Sequence, residues 1–227
     1  MTKYLILAVA VLLTVTACGP AEPQEVQPKF FAELFIRYLE TEREYKAQAV
    51  FLTGDSLPVA RPKFLPGSVR FADREMNKRE LGLDSYRYDL VLGGDYAERN
   101  KFRFPDEKGQ AREFALKMSP VGGFALEHPL KISAGLRLTL KDQPLAADES
   151  LLLLFTDDKQ QSFSVDIAGP SGSSTYQIPS ERLGGLKAGT HELYVVKKQT
   201  RKASRRNLEV LSTVEFYSRA ISIAIEE

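Results

Sequence analysis

The sequence predicts an all-β body built as two consecutive β-sandwiches, and three observations carry that expectation. Apolar and polar residues alternate along much of the chain, the period of a half-buried strand rather than a helix. Gly, Pro, Asn and Asp break these runs at short intervals, as turns do. In the second half, a succession of short strands fits within about 100 residues, the density of a sandwich.

Taken in order, the first run after residue 30 has two readings. Phe31, Leu34, Phe35, Tyr38 and Leu39 fit a helical face, whereas Leu34, Ile36 and Tyr38 alternate like a strand. A strand pair, Glu33–Leu39 with Tyr45–Leu52, is favoured because Tyr45, Ala47, Ala49 and Phe51 alternate strictly. Tyr86, Tyr88, Leu90 and Leu92 form the next stripe, opposite Ser85, Arg87 and Asp89. Phe114, Leu116 and Met118 form another, with turns expected at Gly93-Gly94-Asp95 and Pro105–Gly109. A boundary between Gly122 and His128-Pro129 divides the body into domains 30–125 and 126–227.

In the second domain Leu136, Leu138 and Leu140 alternate with Arg137, Thr139 and Lys141. The run Leu151–Phe155 is continuously apolar, as in a central strand covered on both faces. Phe163, Val165 and Ile167 follow a turn at Asp157–Gln160, and a loop at Gly169–Ser174 leads to a short strand around Tyr176 and Ile178. Strands at Glu192–Lys197 and Leu208–Ser218, and a last one with Ile221, Ile223 and Ile225 inward, complete the set.

Ahead of the body, Lys3 precedes an apolar run from Tyr4 to Val15 and then small residues, the anatomy of a secretory leader. The run is well short of the ~20 apolar residues that span a bilayer. Val15-Thr16-Ala17-Cys18 resembles the lipobox of bacterial lipoproteins. That resemblance implies a signal peptide over 1–17, cleavage before Cys18, a diacylglycerol on its sulfur and often an acyl group on the new amine. A single chain anchors marginally and two or more anchor stably, so the membrane is the expected partner through Cys18. Residues 18–29 then form a tether: Pro20, Pro23 and Pro28 keep it extended, at about 3.1 Å per residue. Gly19, where enteric inner-membrane lipoproteins carry a retention aspartate, implies the outer membrane of a bacterial cell envelope.

Composition narrows the function classes. Removing the leader takes away Lys3 and leaves 30 basic against 30 acidic residues, so no global field recruits nucleic acid. The sole cysteine leaves neither a disulfide nor a thiolate metal site. His128 and His191 stand far apart with no paired-ligand spacing, so no metal and no cofactor is expected. The Gly169–Ser174 loop does not fit the G-x-S-x-G pattern, and no phosphate-binding glycine loop occurs. No catalytic residue is assigned, and the expectation is a protein that is not an enzyme.

Leu186-Lys187-Ala188-Gly189-Thr190-His191-Glu192-Leu193-Tyr194-Val195-Val196 resembles the run that enters a late strand of bacterial immunoglobulin-like modules. The resemblance implies immunoglobulin-like sandwiches, with His191 in the place of a corner tyrosine bonded to backbone.

One charge feature stands apart. Lys197, Lys198, Arg201, Lys202, Arg205 and Arg206 lie within ten residues that hold no acid, between two expected strands. A solvated hairpin tip that deters edge pairing explains them; contact with an anionic partner, such as lipid headgroups, is the functional reading. The whole points to a lipid-anchored, non-enzymatic scaffold that binds an envelope protein. A surface polysaccharide-binding module and an envelope hydrolase are the alternatives.

Overall fold

A computed structural model describes residues 29–82, 85–106, 108–127, 129–205 and 207–227. The leader, Cys18, most of the tether, His128 and Arg206 lie outside the described residues. Among the described residues, no helix is long and apolar enough to cross a membrane.

The protein is all-β, with its sheets in a sandwich-like arrangement. Strands β1 (Lys29–Leu39) and β2 (Glu44–Gly54) open the chain, followed by β3 (Arg61–Pro62), β4 (Arg70–Phe71), β5 (Arg74–Glu75) and β6 (Asn77–Glu80). Next come β7 (Tyr86–Gly93), β8 (Arg99–Pro105), β9 (Ala111–Lys117), β10 (Phe124–Leu126), β11 (Leu130–Lys131) and β12 (Leu136–Leu140). The last are β13 (Glu149–Asp157), β14 (Ser162–Ala168), β15 (Thr175–Ile178), β16 (Gly189–Arg205), β17 (Leu208–Tyr217) and β18 (Ile221–Glu226).

The ambiguous opening run is a strand. β1 pairs antiparallel with β2 over its full length, and Phe30, Ala32, Leu34, Ile36 and Tyr38 point inward and are buried. Against this inner face packs a four-stranded sheet in the order β5-β4-β8-β9. Phe51 meets Phe104 with ring centroids 4.8 Å apart, and Tyr45 meets Phe71 at 5.9 Å. Two tyrosine hydroxyls in this core are bonded: Tyr88 accepts the Leu65 N–H at 3.0 Å, and Tyr45 donates to the Asp95 carbonyl at 3.2 Å. Beside Tyr45, burial pushes the Tyr96 phenol up to about 12, with Glu98 and Tyr45 adding to it.

In the other half, β12 lies between β10 and β15, and Leu136, Leu138 and Leu140 join one continuous core with Leu151, Leu153 and Phe155. The continuous apolar run Leu151–Phe155 predicts a strand covered on both faces, and the structure differs. Only its odd positions are fully buried; Leu152 and Leu154 are half-buried on the opposite face.

β16 differs most from expectation. It extends through residue 205 instead of ending at Lys197, so the basic run from Lys197 to Arg205 is strand and not hairpin loop. At about 3.3 Å per residue its 17 residues reach roughly 55 Å. Its first part pairs with β13 on one edge and β18 on the other, and its second part pairs with β17. Between the pairs Leu193↔Ile221 and Val196↔Tyr217, two residues of β16 face three of the partner chain. This is a bulge, and Ser218 fills it by accepting the Val195 N–H at 3.0 Å and donating to the Arg219 carbonyl at 3.0 Å. β17 in turn runs parallel to β1, from Phe30↔Leu208 to Leu39↔Tyr217. Residues on either side of the expected 125/126 boundary therefore share one ladder.

Candidate interaction surface

Because β16 is a strand, its cations alternate between two faces. Lys197, Arg201 and Arg205 follow the inner face with Leu193 and Val195; Lys198 and Lys202 follow the outer one. The five described cations, close in sequence, are thus divided between two faces. Lys197 is buried and pairs with Glu149 at 3.1 Å, with side chains only 10% and 9% exposed. Arg201 pairs with Asp148 at 2.6 Å, and that contact, working against burial, holds the Asp148 carboxyl below its ordinary range. Arg205 lies over the Phe114 ring, 5.8 Å from its centroid. Lys198 and Lys202 are exposed and form no ion pair among the described residues. Arg206 lies outside them.

The second half of β16 has a free edge. The Thr200 N–H donates to the Asp148 carbonyl at 3.0 Å, and among the described residues no ladder continues beyond it on that side. Strand alternation then turns the main-chain groups of Lys202 and Ser204 outward. A second free edge belongs to β9, which among the described residues pairs only with β8. The Met118 N–H donates to the Glu98 carbonyl and the Asp106 N–H to the Gln110 carbonyl. These bonds set the phase of the hairpin, so Glu113, Ala115 and Lys117 present their main chain to the open side.

The two edges flank one cleft. Phe114, Leu116 and Lys117 of β9 line it opposite Gln199, Arg201 and Ala203 of β16, with Ser212 and Val214 of β17 as its floor. The cleft continues toward the hairpin end between Phe104, Arg112 and Arg205. Asp106 braces that end. Burial opposes its charge, but N–H bonds from Gln110 and Lys108 and the Arg112 guanidinium prevail and lower its pKa.

A polar depression at the far end of β16 gathers Asp157, Asp158, His191 and Glu192. Asp157 Oδ1 is occupied by the N–H groups of Lys159 and Gln161 at 3.0 and 2.7 Å. His191 is buried, with Nδ1 lying 3.4 Å from the Gly189 carbonyl. No hydrogen bond joins the imidazole to a carboxylate among the described residues, so no acid–base pair is assembled there. Among the described residues, no three His, Cys, Asp or Glu side chains cluster as metal ligands. Tyr88 is buried, and Tyr86 packs against Phe64 in a tilted pair with centroids 4.2 Å apart, so neither forms an open sugar-stacking platform.

Sequence reading missed the cleft for two reasons. It passed over β8, although Asn100, Phe102 and Phe104 alternate with Arg99, Lys101 and Arg103. It also weighed the cations from Lys197 to Arg206 by charge alone, when Lys197, Gln199, Arg201, Ala203 and Arg205 carry a period of two. No protein-family model and no curated protein matches this chain.

Proposed function

We propose that this chain is a lipid-anchored protein of the bacterial cell envelope, most simply of the outer membrane, that works as a non-enzymatic scaffold. On this reading Cys18 carries the lipid, and two immunoglobulin-like sandwiches, joined through β16, bind an extended segment of an envelope protein. The observation that supports it is the cleft between two strand edges unpaired among the described residues, Glu113–Lys117 of β9 and Lys202–Ser204 of β16. Free edges accept a further strand through main-chain hydrogen bonds, and side-chain pockets supply the selectivity. Arg205, which faces Phe114 rather than a carboxylate, is the cation along the cleft that favours an acidic segment, whereas Arg112, Lys117 and Arg201 already pair with Asp106, Glu98 and Asp148.

The test is photo-crosslinking in living cells from a reactive residue at Ser204. A discrete adduct mapping to an acidic extended segment is expected. Ala115→Pro removes an N–H that points into the cleft and leaves the β8 ladder intact, so it should abolish the adduct without unfolding the protein. Recovery of uncrosslinked monomer alone, or an adduct insensitive to Ala115→Pro, would contradict the proposal.

A further inference from the structure

The body has one end from which the chain toward Cys18 departs, and that end carries an uncommon combination of side chains. Lys29, the first described residue, is only eleven positions after Cys18. The strand registers place beside it the end of β2 (Lys29↔Gly54), the start of β3 (Thr53↔Arg61) and the start of β17 (Phe30↔Leu208). Between β2 and β3 the chain makes a 3-10 turn, Leu57–Val59, with no buried residue. Leu57 is 41% exposed and Val59 is 64% exposed, which ranks them with the large apolar side chains most open to solvent among the described residues.

Two cations lie beside these apolar residues. Arg61 is exposed next to them in sequence. Lys202, on the outer face of β16, lines the same groove of about 240 Å³ as Leu57, Phe31 and Leu211. The acids at this end are Asp55, which is exposed, together with Glu33 and Glu209 along the groove; Lys29 neutralises Glu209 at 3.0 Å. Two exposed apolar tips with Arg61 and Lys202 beside them match a bilayer interface. There, apolar groups enter the acyl boundary while cations meet anionic headgroups.

We propose that this end rests on the anionic bilayer surface that holds Cys18, with Leu57 and Val59 inserted and Arg61 and Lys202 against the headgroups. The inference relies on the anchored reading above for its orientation, but its chemistry stands on these side chains. Contact at this end also orients the molecule: β1 and β16 run from it toward the opposite end of the body.

The chain holds no tryptophan, so Val59→Trp introduces a single selectively excited reporter. The full-length lipoprotein carrying it is reconstituted into vesicles of phosphatidylglycerol and brominated phosphatidylcholine. A second version carries Val91→Trp instead; Val91 is exposed and pairs with Lys46, toward the opposite end of β2. The indole of the Val59→Trp protein should be quenched, at a depth of about 5–10 Å into the interface, and that of the Val91→Trp protein should not. Omitting phosphatidylglycerol should abolish the quenching. Adding Arg61→Ala or Lys202→Ala should each shift the contact equilibrium about five-fold toward the lifted state. A Val59→Trp protein whose mass includes the Cys18 lipid, yet whose indole is unquenched, overturns this inference and leaves the anchor standing. A protein whose mass lacks the lipid overturns the anchor, and quenching of its indole by the same vesicles then decides the contact by itself.

Discussion

Residues 29–125, produced without the rest of the chain, should fail to fold. β1 lies between β2 and β17 in the main sheet, and its partner β17 comes from the far end of the sequence. Without β17, the buried faces of Leu34 and Ile36 lose Val210, Val214 and Phe216 beside them. Each such side chain contributes roughly 1.5–3 kcal/mol on burial, whereas a whole domain is stable by only about 5–15 kcal/mol. The truncation also exposes β1 as a long apolar edge, an invitation to aggregation. Circular dichroism and amide proton NMR should show a collapsed or aggregated fragment, and co-expression with 126–227 should restore the fold. A monomeric fragment with dispersed resonances would contradict the shared ladder. For the same reason the intact chain should unfold in one transition, as β16 serves both halves.

The second large effect is expected at the Glu149–Lys197 pair. Both side chains are about nine-tenths buried, 3.1 Å apart, where β16 passes from β13 to β17. Glu149→Ala would leave the lysine charge buried and unpaired, which costs about 3–5 kcal/mol. For a chain of this size that lowers Tm by on the order of 10 °C. Replacing both partners, Glu149→Leu with Lys197→Met, should recover most of the loss, because packed apolar side chains match a buried pair of similar volume. A thermal shift near zero for Glu149→Ala, or a double variant as weak as the single, would show that the pair does not hold this crossing. Lys197 consequently contributes to the junction and is not available to an outside partner.

How far the fold was legible follows from which forces act locally. The alternation Tyr45-Ala47-Ala49-Phe51 identified β2, and with it the β1 hairpin, because one face of each strand meets the core. Leu136-Leu138-Leu140 and the Ile221–Ile225 run were legible for the same reason. Pairing between distant segments leaves no local mark. Nothing near Phe30 announces Leu208 as its neighbour, since a parallel partner needs only an apolar face that matches. The second half of β16 escaped notice because charged side chains occupy both faces. One of those faces reaches a cleft and a buried acid instead of solvent. The cleft itself required β8 and β9, the free stretch of β16 and the floor of β17 to be placed together. No single stretch of sequence contains it.

The proposed anchor at Cys18 sets the frame for the functional reading, and it predicts a definite mass. Intact-protein mass spectrometry of the chain extracted from native membranes should show a molecule beginning at Cys18, with a diacylglyceryl thioether on its sulfur. A chain that retains Met1 and a free thiol would contradict the account.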